Sequence, residues 1–239
     1  MPHLMPGPEP DAPLRTIGTE RESSLHRSLK TRYAGPEGQT EKAVGAYVCD
    51  AVSSSGEIIE IQTGSFGPLK RKIEGLTTYG LVRIIHPIVV HKTIELREKD
   101  GAPVRVRKSP RRGTEWDLFK ALLYAPLLPL TGGVTIELVM VDVLEKRVRD
   151  GRGSWRRRGD SIADRELSAW LRAMPLSGKR DYRAFVPFPP GEEFTVSSLA
   201  EKARIPQVLA GKALYVLTKI GVVERIRKAG NAWVYRLEV

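Results

Sequence analysis

The sequence predicts an α/β (α+β) protein: a mixed sheet flanked by helices, followed by a small winged-helix domain. Three observations carry this expectation. Strand-like and helical runs follow one another in the order strand, strand, helix, strand over residues 43–90, the pattern of a sheet covered by helices. A second set of alternating and apolar runs fills residues 92–188. The last 45 or so residues then read helix, turn, helix, hairpin, the layout of a winged helix.

Taken in order, residues 1–18 hold five prolines and no apolar period, which predicts a disordered tail. Thr19 and Glu22 have the spacing of a capping box and open a helix over 19–34, with Leu25, Leu29 and Tyr33 as its apolar stripe and Glu22 at one end of it. KAVGAYVCDAV and GEIIEIQT read as strands around an SSSG turn. GPLKRKIEGL reads as a short helix with Leu69, Ile73 and Leu76 in phase, and LVRIIHPIVV as an apolar strand. Beyond it come a strand at KTIELRE, a basic loop, and a helix from Thr114 (TEWDLFKALLYA). A long strand TIELVMVDVLEKR and a hairpin arm near SWRRR precede a predicted helix DRELSAWLRAM and a predicted strand YRAFVPF. Prolines and a glycine make 188–193 a linker, dividing a domain over 19–187 from one over 194–239, in which VSSLAEKA and QVLAGKALYVLTKI are helices and VVERIR and AWVYRLEV the hairpin.

Composition narrows the function. The 239 residues carry a net charge of +11, and it is unevenly placed. Residues 1–100 are neutral, whereas 101–190 hold 18 bases against 10 acids. Arginine dominates two clusters there: Arg105, Arg107, Lys108, Arg111 and Arg112, then Arg147, Arg149, Arg152, Arg156, Arg157 and Arg158, the last three beside Trp155. Such clusters on loops and strand ends suit a phosphate backbone; a solvated surface is the plainer reading of one arginine run, but two of them in a chain of this charge favour a polyanion partner. No apolar run approaches the roughly 20 residues of a membrane span, and no leader-like segment opens the chain, so the expected location is the cytoplasm. One cysteine, Cys49, excludes an internal disulfide and a cysteine-based zinc site. The four histidines lack the spacing of a zinc hydrolase.

The chemistry is concentrated in Asp50, Glu60 and Gln62. Acidic side chains are rare in apolar strands because an unpartnered buried charge is costly. Strand alternation sends Ile59 and Ile61 to one face and Glu60 and Gln62 to the other, and a neighbouring strand would bring Asp50 beside Glu60. Converging carboxylates suit Mg²⁺ or Mn²⁺, which can activate water against a phosphodiester. The same residues admit a structural reading: Asp50 capping the SSSG turn, Glu60 paired with Lys70 or Arg71, and Gln62 on a strand edge.

Asp, a gap of about ten, then Glu-x-Lys on the next strand and a helix is the signature of the PD-(D/E)xK, or restriction-endonuclease-like, superfamily, some of whose members have Gln at the third position. The strings ESSLHRSLK, VGAYVCDAV, IIEIQTGSFGPLKRKI, VRIIHPI, RKSPRRG and GSWRRRG resemble a group of bacterial proteins with this fold and a C-terminal winged helix. The likeness covers most of 20–185 and, more loosely, 194–239. It implies that Asp50, Glu60 and the Ile61 carbonyl hold the metal, that Gln62 stands in place of the catalytic Lys, and that Glu22 matches the acid of the first helix. A neutral amide is no base, so Lys70 and Lys72 are candidates for the missing positive charge. The expected activity is Mg²⁺-dependent cleavage of DNA; the alternative is a non-catalytic DNA-binding protein on a degenerate nuclease scaffold. Double-stranded DNA is the first expected partner, with RNA and a second copy of the chain as further ones. In the winged helix, Gln207 and Lys212 are the residues expected to face nucleic acid.

Overall fold

The computed structural model describes residues 22–238. The proline-rich segment 1–18 and the Thr19 end of the predicted capping box lie outside the described residues. A seven-stranded mixed sheet has the order β1-β2-β3-β4-β6-β7, with β5 also paired to β4. These strands are β1 (Gln39–Val44), β2 (Tyr47–Val52), β3 (Ile58–Ile61), β4 (Val82–Glu98), β5 (Pro103–Lys108), β6 (Val134–Arg149) and β7 (Asp160–Leu176). Both β3–β4 and β4–β6 are parallel and the remaining pairs antiparallel.

Each face of the sheet is covered. On one side lies α1 (Ser24–Ala34), whose Leu25 and Leu29 bury against Ala51, Ile59, Ile61 and Ile85. On the other lie α2 (Lys70–Leu76), α3 (Leu118–Ala121) and the C-terminal module, over Ile58, Ile84 and Ile136. Ser23 caps α1, its hydroxyl accepting the His26 amide at 3.4 Å. The helix therefore starts later than the predicted 19, and Glu22 precedes the cap instead of lying within the first turn.

Several local expectations change. KAVGAYVCDAV is a hairpin of two strands, turned at Gly45 with φ 57°, a conformation that favours glycine. The separate strands expected at 81–90 and 92–98 are one 17-residue strand, β4. DRELSAWLRAM is not a helix but part of β7, with Leu167 opposite Val143 and Trp170 opposite Val141. Its Leu, Ala, Glu and Arg residues favour helix weakly, and the ladder offered by 16-residue β6 overrides that preference. YRAFVPF is not a strand: Tyr182 lies in α4 (Lys179–Arg183), and Phe185, Val186 and Phe188 are buried in succession behind it. A half-buried strand would have alternated.

The C-terminal module follows the predicted pattern: β8 (Phe194–Thr195), α5 (Val196–Ala203), α6 (Gln207–Lys219), β9 (Val223–Ala229) and β10 (Ala232–Leu237), with sheet order β8-β10-β9. This is a helix-turn-helix with a hairpin wing. Its interior is continuous with that of the large sheet: α6 packs on α3, and Phe188 of the predicted linker stacks on Phe194 at 4.2 Å. Among the described residues no helix is long and apolar enough to cross a membrane.

One irregularity positions the site. The outer edge of β4 is paired to β3 at Val82–Ile85 and to β5 at Thr93–Arg97. Between them the edge is met, among the described residues, only by the backbone amides of Gly113, donating to Val89 O at 2.9 Å, and Ser109, donating to Lys92 O at 2.7 Å. A cleft opens in that gap.

Candidate functional site

The carboxylates of Asp50 and Glu60 lie where β2 and β3 part. The ladder between these strands joins Ala51 to Ile59 and Val52 to Ile58 and then stops. Beyond it the Ile61 amide has no strand partner on that side and donates instead to Asp50 Oδ2 at 2.7 Å, so the side chain replaces a rung of the ladder. Strand alternation also breaks here. Cys49 is buried with Ile58 and Ile84, while Ala51 is buried against α1, and Asp50 reaches His26 of α1, with Oδ1 at 3.3 Å from Nε2. Asp50 does not cap the SSSG turn; Ser53 does, accepting the Glu57 amide at 3.1 Å.

Glu60 is 3% exposed, with Ile59 and Ile61 on the opposite face against α1. Its partner is neither Lys70 nor Arg71 but Lys72 of α2, whose Nζ lies 2.6 Å from Oε1 and 2.7 Å from Oε2. Lys70 is half-exposed beside Glu74 at 3.8 Å. Burial pushes the Glu60 carboxyl up to about 7; Lys72 opposes the rise and the Asp50 charge adds to it. For Asp50, burial also favours the neutral acid, but the His26 contact, the Ile61 amide and Lys72 together hold its carboxyl below the usual range.

Glu22 joins this group through two bases on α1. Its Oε1 lies 2.8 Å from Lys30 Nζ and 3.6 Å from His26 Nε2. Lys30, 7% exposed, also meets Glu41 at 2.9 Å. The chain Glu22–His26–Asp50–Ile61–Glu60–Lys72 thus links α1, β2, β3 and α2. His26 and Lys30 escape a reading of the apolar stripe alone. Their signal is the four-residue spacing, which puts His26 and Lys30 on one face of α1, in line with Glu22 just before its cap.

Gln62 turns away from Glu60. Its Nε2 donates to Ser65 O at 2.6 Å, and its own carbonyl lies 2.5 Å from Nδ1 of buried His86. Burial lowers the His86 pKa, consistent with a structural histidine that donates from Nδ1 to this carbonyl. His86 and the loop Thr63–Gly64–Ser65 line the cleft in the β4 edge.

The basic clusters lie on other elements than the carboxylates. Arg105, Arg107 and Lys108 lie on β5 and Arg111 and Arg112 on the loop that returns to β4, all exposed. None of the five has a carboxylate partner among the described residues; Arg112 approaches His91 Nε2 at 3.1 Å. Arg156 and Arg158 are exposed in the β6–β7 loop, where Arg157 donates to Asp160 O at 3.1 Å. Trp155 there is 82% exposed with Arg156 over its ring. On α6, Gln207 is exposed and Lys212 half-buried.

Among the described residues no group of three or more His, Cys, Asp or Glu side chains is gathered as a metal-ligand set. The donors do fit a hard cation that keeps part of its water shell. Asp50 and Glu60 supply carboxylate oxygens, with the Ile61 carbonyl at the same strand end. Glu60 Oε1 is buried and has no aligned hydrogen bond despite its contact with Lys72. A measurable pH effect follows from the raised Glu60 pKa. The contribution of this group to stability is full below its ordinary value of 4.5 and is lost as pH rises through about 7. The loss is on the order of 3 kcal/mol. Urea unfolding in chelator from pH 5 to 8 is expected to show this decline in wild type and not in Glu60→Gln, and Mg²⁺ is expected to reverse part of it.

An uncharacterized protein of Treponema pallidum (strain Nichols) is 29% identical over 152 residues, 64% of this chain and 61% of that protein. The chain thus aligns with less than two thirds of that relative's length. No solved structure matches. Residues 23–177, which hold the carboxylates, the cleft and both arginine clusters, match a domain of unknown function, DUF8091, and the chain belongs to that family.

Proposed function

We propose that the protein is a Mg²⁺- or Mn²⁺-dependent endonuclease that hydrolyses phosphodiesters of double-stranded DNA in the cytoplasm, on a scaffold of the PD-(D/E)xK kind. The observation that carries this reading is Lys72 held against Glu60 beside Asp50. A carboxylate pair and one ammonium are the groups such a site needs, and here the ammonium comes from α2 because Gln62 occupies the strand position. Asp50, Glu60 and the Ile61 carbonyl would hold the metal. The ion would supply a Lewis acid and a more acidic water. Lys72 keeps positive charge at the carboxylates. Gln62 fixes the loop after β3 through Ser65, and Glu22 holds His26 and Lys30 in place. Arg105, Arg107, Lys108, Arg111, Arg112 and Arg156–Arg158 would grip phosphates, so DNA affinity should fall steeply with salt.

One observation favours a second reading, a non-catalytic DNA-binding protein: His26, Lys30 and Lys72 already face Asp50, Glu22 and Glu60. Incubation with supercoiled plasmid and Mg²⁺ or Mn²⁺ separates the two. Nicking by wild type and none by the Asp50→Ala, Glu60→Ala double variant is expected. Equal intactness of plasmid with both proteins, together with DNA binding that survives the double substitution, would establish the second reading instead.

A further inference from the structure

The cleft in the β4 edge has chemistry of its own. Its volume is about 450 Å³, within the range of pockets that enclose small ligands. Leu25, Pro87, Ile88 and Val143 give it an apolar floor, and Lys92, Arg111, Lys120 and Arg165 a basic rim. Their charges do not cancel. Lys120 is neutralised by Asp117, which also lines the cleft. Lys92 and Arg165 share one counter-ion, Glu145, with Arg147, at 3.2, 3.0 and 2.5 Å. Three cations thus face one carboxylate, which those cations keep ionised against its burial. Arg111, without an ion pair among the described residues, adds a further positive charge. A polar rim with this surplus selects an anion, while the floor selects something flat and apolar attached to it.

We propose that this cleft seats one nucleotide unit, its phosphate between Lys92, Arg111 and Arg165 and its sugar and base on the apolar floor. The proposal deepens the nuclease reading and rests on it for the polymer. His86 lines the cleft and touches the Gln62 carbonyl, two residues from Glu60, so a nucleotide here would neighbour the one whose phosphodiester reaches the carboxylates. A free nucleoside monophosphate offers the same phosphate and base, and the test separates these sources.

Calorimetry of the full chain in chelator and low salt, with dAMP in one arm and a five-nucleotide single-stranded oligodeoxynucleotide in the other, provides that test. Wild type is expected to bind, and Arg111→Glu to weaken binding by about tenfold or more. Because Arg111 is exposed, its thermal midpoint should be unchanged; Lys120→Glu, on the same rim, gives a second variant. Comparable affinity for both probes means that the free nucleotide suffices, and a large preference for the oligonucleotide assigns the cleft to a strand. Absence of binding to either probe at millimolar concentration, or affinity unaltered by both substitutions, overturns the proposal. The Asp50→Ala, Glu60→Ala variant should bind both probes as wild type does. Plasmid left uncut by a wild-type protein that still binds the nucleotide probes would therefore defeat the nuclease reading alone.

Discussion

Glu145→Ala is expected to lower the free energy of unfolding by about 3–5 kcal/mol, the cost of removing one member of a buried charge cluster and leaving its partners uncompensated. Glu145 is fully buried on β6, with Lys92 from β4, Arg147 two residues along and Arg165 from β7 all directed at it. The substitution leaves three cations over a cavity, in a protein class whose total stability is about 5–15 kcal/mol. Burial alone would raise the pKa of this carboxyl, but the bonds from Arg147, Arg165 and Lys92 lower it to about 2. Its folded value lies below its ordinary value of 4.5, so the stabilisation is present above about pH 4.5 and disappears as pH falls toward 2. That acid limb amounts to about 3 kcal/mol. Denaturant unfolding from pH 2 to 6 should show it in wild type, and Glu145→Gln should flatten it. Equal acid sensitivity in the two proteins would remove Glu145 from the account.

Lys72→Met is expected to reduce plasmid cleavage by roughly 10²–10⁴-fold, the range associated with loss of a group that acts on protons or charge in the reaction. The ammonium makes both of its contacts to Glu60. Its removal takes away the influence that opposes the upward shift of the Glu60 pKa, so more of this carboxyl is neutral at pH 7. Mn²⁺ affinity, read by calorimetry, should therefore fall at pH 7 and recover at pH 9, a pattern that a merely structural lysine would not produce. Lys70→Met, two residues away, loses only a surface contact with Glu74 at 3.8 Å and should cleave as wild type does. Cleavage by the Lys72 variant at the wild-type rate would dismiss this lysine from the chemistry.

What the sequence made legible was what depends on near neighbours. Asp50 and Glu60 could be brought together because one turn joins their strands, and the alternation around Glu60 assigned its face. The choice among Lys70, Arg71 and Lys72 was not made, although Lys72 is the one of the three that borders the inward stripe of Leu69, Ile73 and Leu76. Glu22 was singled out, but His26 and Lys30 were missed because only the apolar stripe of the helix, Leu25, Leu29 and Tyr33, was followed. Lys92, Glu145 and Arg165 were out of reach for another reason. They belong to three strands and meet only through the register of the sheet. The same long-range pairing made DRELSAWLRAM a strand against its local preference.

The parallel pairing of β4 with β6 also sets when the molecule can become itself. Val82 must wait for Val134, and Glu98 for Arg149, about fifty residues of further synthesis. At common translation rates of about 5–20 residues per second the inner edge of β4 has no partner for roughly 3–10 s. Through that interval the strand offers Ile84, Ile85 and Ile88 to any other edge it meets. Pairing so remote in sequence is slow to form in any case. The nascent chain thus carries an unpaired apolar edge until β6 emerges, and a product truncated before residue 134 is expected to aggregate.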